Sequence, residues 1–152
     1  MNTHRLEIRP LFADVDAMNI VYNAIYLRYF ELGRTELMRS VGVSYASIEE
    51  QNLRFPVSEA HVRYRRPARY DELLYLDTWL DWVKRVSLCF AYRLSRPEKG
   101  ELVELAAGYT TLGCITHQGK VSLLPDNLVQ ALLPYVVSGS RRLPGRDRPD
   151  GI

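Results

Sequence analysis

The chain has 152 residues, 47% of them hydrophobic and 25% charged, with a formal net charge of +2; that is the make-up of one globular domain able to bury a real core. Acidic and basic residues are interleaved, which leaves no nucleic-acid footprint, and no apolar run reaches membrane-spanning length. The N-terminus Met-Asn-Thr-His-Arg-Leu-Glu has no signal-peptide core, and Cys89 and Cys114 read as buried thiols in a reducing compartment, so a cytoplasmic location is expected.

Residues 4–13 alternate at Leu6 and Ile8 and predict a strand, with Pro10 at an edge or bulge because it cannot donate a ladder hydrogen bond. A turn at Ala17-Met18-Asn19 follows, where Asn19 tolerates positive φ. A helix is expected from about residue 21 to 40. Tyr22, Ile25, Tyr26, Tyr29, Phe30, Gly33 and Leu37 fall on one face, and Arg28, Glu31, Arg34 and Glu36 occupy much of the rest. Gly33 costs such a helix roughly 1 kcal/mol relative to alanine, which a close approach to a sheet would account for. Gly42 is placed to stop the helix, and Ser44 to cap a short helix over 44–51.

From Leu53 the period changes to two. Residues 53–65 read as a strand with a bulge near Ser58–Ala60, and Pro67–Asp71 as a turn. Residues 72–83 are apolar on both faces, as in a central strand. Lys84-Arg85 opens the clearest alternation, with Val86, Leu88, Phe90, Tyr92 and Leu94 inward. Pro97–Gly100 is a hairpin turn, 101–116 another long strand, His117–Lys120 a turn, 121–124 a short extended piece and 125–135 a terminal helix. The predicted domain is 1–136, and 137–152, rich in Arg, Pro, Gly and Asp, reads as a disordered tail. Strand, long helix, then several antiparallel strands make an α+β domain with the helix on one sheet face.

Chemistry concentrates before the long helix. The first amides of a helix lack intrahelical partners and carry partial positive charge, so they can polarise a carbonyl oxygen. A carboxylate just upstream could attack that carbonyl or activate a water, and Asp16 is placed for this. On local sequence alone, merely capping the turn is the commoner role for Asp14 or Asp16. His4, His61 and His117 are scattered without partners at metal-ligand spacing, and there is no P-loop, dinucleotide fingerprint or Gly-x-Ser-x-Gly elbow. Metal-dependent, nucleotide-dependent and serine-triad hydrolysis are therefore not expected.

The stretch Asp14-Val-Asp16, then Val21-Tyr22-Asn23-Ala-Ile-Tyr-Leu-Arg-Tyr-Phe-Glu31-Leu-Gly-Arg34-Thr-Glu36, resembles the 4-hydroxybenzoyl-CoA thioesterase-like branch of the hotdog superfamily, which includes the acyl-CoA thioesterases associated with the Tol-Pal system. The resemblance covers roughly residues 5–125. It implies a hotdog fold, a curved antiparallel sheet around one long central helix, and hydrolysis of an acyl-CoA to free acid and coenzyme A. Asp16 would be the nucleophile or general base, Asp14 structural, and the backbone amide of Asn23 a donor to the thioester carbonyl. Glu31 is the reserve carboxylate, because another hotdog branch carries its catalytic glutamate on this helix; its spacing from Arg34 would also allow an ion pair. Lys84 and Arg85, after Trp82, match a basic cluster that contacts coenzyme A phosphates in relatives, with Arg63, Arg65, Arg66 and Arg69 as another candidate patch. Tyr22, Tyr26 and Tyr29 would shape the acyl pocket, with the large Met18 beside it. No cofactor is implied beyond the coenzyme A of the substrate, and subunits are expected to pair as a homodimer or homotetramer. A thioesterase acting on acyl carrier protein, or a non-catalytic acyl-CoA-binding member, would carry the same pattern. The acyl chain is not legible.

Overall fold

A computed structural model describes residues 2–137; the expected tail from residue 138 onward lies outside them. In chain order the elements are β1 (His4–Ile8), α1 (Ile25–Ser40), α2 (Tyr45–Glu50), β2 (Leu53–Arg54), β3 (Val57–Tyr64), β4 (Leu74–Val83), β5 (Ser87–Glu98), β6 (Glu101–Gly113), β7 (Ile115–Thr116) and α3 (Asp126–Leu132), with short 3-10 turns at Phe12–Asp14 and Leu133–Tyr135. Five strands form one antiparallel sheet in the order β1-β4-β5-β6-β3, while β2 and β7 pair separately. The long helix α1 lies on one face of the large sheet. This is the hotdog arrangement.

The helix sits close because Gly33 lets it. A Cβ built at Gly33 would stand 2.5 Å from Thr78 Oγ1 and 2.8 Å from Leu76 Cδ2 on β4. Next to it, the Phe30 ring stacks on Tyr92 of β5 with centroids 4.2 Å apart. Leu74, Leu76, Leu80, Leu88, Phe90, Tyr92 and Leu94 are all 0% exposed and form the floor under α1. Burial of each such side chain contributes about 1.5–3 kcal/mol. Among the described residues no helix is long and apolar enough to cross a membrane.

Local chemistry predicts several junctions correctly. Asn19 adopts φ 64°, Gly42 terminates α1 with φ 82°, and Ser44 Oγ accepts from the Ser47 amide. The ladder between β3 and β6 slips between Val57 and Glu59, where the bulge is expected. Cys89 and Cys114 are buried thiols not joined in a disulfide.

Other boundaries move. The helix begins at Ile25 rather than near 21, because Val21 is taken into a bridge with Val15 and its N–H donates to Ala68 O at 2.8 Å. The expected strand 53–65 breaks at Phe55-Pro56 into β2 and β3, and 101–116 breaks at Cys114 so that β7 can turn away to β2. Residues 121–124 form only an isolated bridge, Val121 to Ile115. Val86, expected inward, is 36% exposed because it belongs to the β4–β5 turn.

Candidate active site

Asp14 organises the loop ahead of α1. Its buried carboxylate accepts from the Leu11 N–H and the Tyr29 hydroxyl, both at 2.9 Å, and its carbonyl accepts the Tyr22 N–H at 2.9 Å. Arg28 stands 4.0 Å from its other oxygen. Burial, and then the bond to Asp14, raise the pKa of Tyr29, so this hydroxyl keeps the proton it donates. Through these bonds Asp14 ties the loop to Leu11, Tyr22 and the first turns of α1.

Asp16 is built differently. Its backbone closes a tight loop, with its N–H donating to Ile20 O and its carbonyl accepting from the Asn19 N–H, both at 2.9 Å. Its Oδ1 accepts from the Met18 N–H at 2.8 Å, and its Oδ2 has no hydrogen-bond partner among the described residues. The carboxylate is thus oriented by one bond and half-buried, with one oxygen available for chemistry.

The entry to α1 lies across from it. Tyr22-Asn23-Ala24 turn into the helix through Ile25 N–H to Tyr22 O (2.9 Å) and Leu27 N–H to Ala24 O (3.2 Å). The N–H groups of Asn23 and Ala24 have no acceptor among the described residues. They stand at the positive end of a sixteen-residue helix. Asp16, Asn23, Tyr26, Tyr64, Arg65 and Arg66 line one cleft of about 350 Å³. Met18 lines its rim while 71% exposed, so it leaves the cleft open. Tyr64 donates its hydroxyl to Asn23 O at 2.7 Å, and partial burial raises the Tyr64 pKa, which keeps that donor protonated.

The other expected site residues lie elsewhere. Tyr22 is 50% exposed and is not part of the cleft wall, because the turn before α1 swings it outward. Tyr29 faces Asp14 instead. Glu31 lies on the opposite side of α1, in a separate groove of about 600 Å³ shared with Asp14, Arg28 and Leu32. Glu31 and Arg34 form no ion pair: Arg34 turns inward, 8% exposed, beside Tyr92 and Tyr45, whose hydroxyls outweigh desolvation and leave its pKa raised.

Lys84 and Arg85 occupy the β4–β5 turn. Lys84 Nζ stands 4.4 Å over the Trp82 ring, and Arg85 O accepts the Leu124 N–H. Register decides their place. Leu88 aligns with Leu112 and Leu112 with Val57, so this turn marks the Val57 end of the sheet, whereas Asp16 shares its cleft with Tyr64 at the other end. The separation along β3 is about 23 Å at roughly 3.3 Å per residue. Within one chain, Lys84 and Arg85 do not reach Asp16. Arg65 and Arg66 do line the cleft, with Arg65 Nε 2.5 Å from Glu104. Sequence reasoning missed Tyr64 as a site residue, since alternation marks it only as an apolar strand position.

A family model described as the Thioesterase-like superfamily matches residues 10–132. The acyl-CoA thioester hydrolase YbgC of Escherichia coli O157:H7 is 33% identical over 106 residues, which cover 68% of this chain and 79% of that one. The crystal structure of a DHNA-CoA thioesterase from Staphylococcus aureus superposes with a TM-score of 0.76 at 31% identity, covering 82% of each chain. A 4-hydroxybenzoyl-CoA thioesterase solved with 4-hydroxybenzoyl-CoA shares the fold, with a TM-score of 0.79 at 16% identity over 86% of this chain and 98% of that one.

Proposed function

The chain belongs to the Thioesterase-like superfamily, and we propose that it hydrolyses an acyl-CoA thioester to a free carboxylic acid and coenzyme A in the cleft around Asp16. The observation that carries this reading is the cleft itself: a carboxylate with one unengaged oxygen shares a wall with the amide-bearing entry of α1. The thioester carbonyl oxygen would lie against the Asn23 and Ala24 amides, which stabilise the negative charge that develops on it. As general base, Asp16 Oδ2 takes a proton from a water that attacks the carbonyl carbon. The tetrahedral intermediate then collapses, the C–S bond breaks, and the coenzyme A thiolate takes up a proton. As nucleophile, Asp16 would itself form the new C–O bond and expel the thiolate, leaving a mixed anhydride for water to cleave. Both routes use the same two groups. Glu31, on the far side of α1, takes no part in either.

Arg65 and Arg66 at the cleft wall are positioned for the coenzyme A phosphates. A second copy of the chain would add to them. β3 is an edge strand of eight residues with β6 as its one neighbour in the sheet, so an unpaired row of backbone groups runs beside the cleft. Antiparallel pairing of two such edges reverses their ends, and it would carry the partner's Lys84 and Arg85 to the end of the sheet where Asp16 lies. A dimer built this way recovers the basic cluster that the single chain leaves remote.

The test is thiol release from short, long and aromatic acyl-CoAs, with the same acyl groups on acyl carrier protein as the comparison, alongside light scattering. Turnover of acyl-CoA by a dimer or tetramer is the expected result. Turnover confined to carrier-bound substrates, binding without turnover, or activity in a stable monomer would each contradict part of the reading.

A further inference from the structure

In a regular first turn of an α-helix, the carbonyl of one residue accepts from the N–H four residues on. Here the turn is tightened: Leu27 N–H reaches Ala24 O, three residues back, and Asn23 O is left out of the ladder. Tyr64 supplies the missing donor. Its hydroxyl lies 2.7 Å from Asn23 O, reaching across from β3 with its ring edge-on to Tyr26 at 4.9 Å and 89°.

The Asn23 carbonyl and the Ala24 N–H belong to one rigid peptide plane. A bond to the carbonyl therefore fixes the direction of that N–H, and by polarising the amide it makes the N–H a stronger donor. Orienting the same plane also fixes Asn23 ψ, and with it the Asn23 backbone that forms the cleft wall. The opposite side is held by Val21 N–H to Ala68 O at 2.8 Å and by the Tyr26 hydroxyl accepting from Ala68 N–H at 3.4 Å. Tyr64 is thus the only described side chain that hydrogen-bonds the Asn23 backbone.

We infer that Tyr64 is a positioning residue for the oxyanion-binding amides: its hydroxyl sets and polarises the Asn23–Ala24 peptide at the mouth of α1. The inference rests on the reading of the Asp16 cleft given above. It has a structural corollary. Tyr64 is the last residue of the edge strand offered to a second subunit, so one side chain links the subunit contact to the donor amides.

The experiment is Tyr64→Phe, which keeps the ring and its packing on Tyr26 and removes only the hydroxyl. Its kcat on acyl-CoA should fall about 10- to 100-fold, less than the loss of a whole oxyanion donor, with KM within about twofold and the oligomeric state unchanged. The backbone 1H–15N spectrum should show the Ala24 amide proton displaced, since its peptide loses the bond at the carbonyl. An unmoved Ala24 resonance, an unchanged kcat, or a loss expressed in KM alone would overturn the assignment. Asp16→Asn is run in parallel. Turnover surviving in that variant would refute the cleft reading, while the Ala24 resonance in Tyr64→Phe still reports on positioning without any chemistry.

Discussion

Replacing Gly33 by alanine sets two opposing free energies against each other. Alanine in a helix interior is favoured over glycine by about 1 kcal/mol, so an exposed Gly→Ala change would stabilise. At Gly33 the new methyl would meet Thr78 Oγ1 at 2.5 Å and Leu76 Cδ2 at 2.8 Å, both on β4 side chains that are 0% exposed. Neither side chain has solvent to move into, so relief requires α1 to lift off the sheet, which loosens the Phe30–Tyr92 stack as well. Overpacking of this kind costs typically 1–3 kcal/mol, and the central strand beneath argues for the upper part of that range. The expected net effect is a destabilisation of about 1–2 kcal/mol. Urea unfolding at one fixed protein concentration measures it, because an associating protein gains stability with concentration. Adding Thr78→Ala removes the nearest atom and should recover part of the loss, a non-additivity typical of touching residues. Gly33→Ala stabilising the protein on its own would refute the close approach of helix to sheet.

The remaining predictions concern the loop and the core. Asp14→Ala strands the Leu11 N–H and the Tyr29 hydroxyl without their acceptor, at about 1–3 kcal/mol for the buried hydroxyl and less for the N–H of the solvent-exposed Leu11. Thiol release should collapse although Asp16 is intact, whereas Tyr29→Phe, which removes one donor, should cost only about 1 kcal/mol and retain turnover. For pH dependence, burial pushes the Tyr92 hydroxyl up to about 12. The folded state thus favours the neutral phenol, so its contribution is fully present below the ordinary value near 10 and is lost as pH rises from there to about 12. At about 1.4 kcal/mol per unit the loss approaches 3 kcal/mol. Tyr92→Phe should flatten this alkaline limb in a denaturation series, and an unchanged limb would contradict it.

What the sequence discloses, and what it withholds, divides by range. Asn19, Gly42 and Ser44 each answer to a nearest-neighbour rule of backbone geometry or capping, and each is found in the expected role. The hotdog arrangement and the thioesterase family follow from the Asp14–Glu36 stretch together with the strand order. Glu31 and Arg34 illustrate the failure of local spacing: three residues apart allows a pair, yet packing turns Arg34 toward Tyr92 and leaves Glu31 outside. Lys84 and Arg85 cannot be placed from spacing for a longer-range reason: the end of the sheet they occupy is set by registers among β3, β5 and β6. Tyr64 could not be read at all. Its bond joins residues forty-one positions apart through a hydroxyl that alternation counts as apolar.

The most direct test of the central claim compares binding and turnover in Asp16→Asn. Asparagine keeps the size of the side chain and an oxygen to accept the Met18 N–H, but it can neither take a proton nor attack a carbonyl. Calorimetry with a hydrolysable acyl-CoA and thiol release on the same preparation should show affinity within a few-fold of the wild type and kcat reduced by about 10²–10⁴. A folded Asp16→Asn protein that turns over at the wild-type rate would contradict the account, and the chemistry would then have to reside outside this cleft.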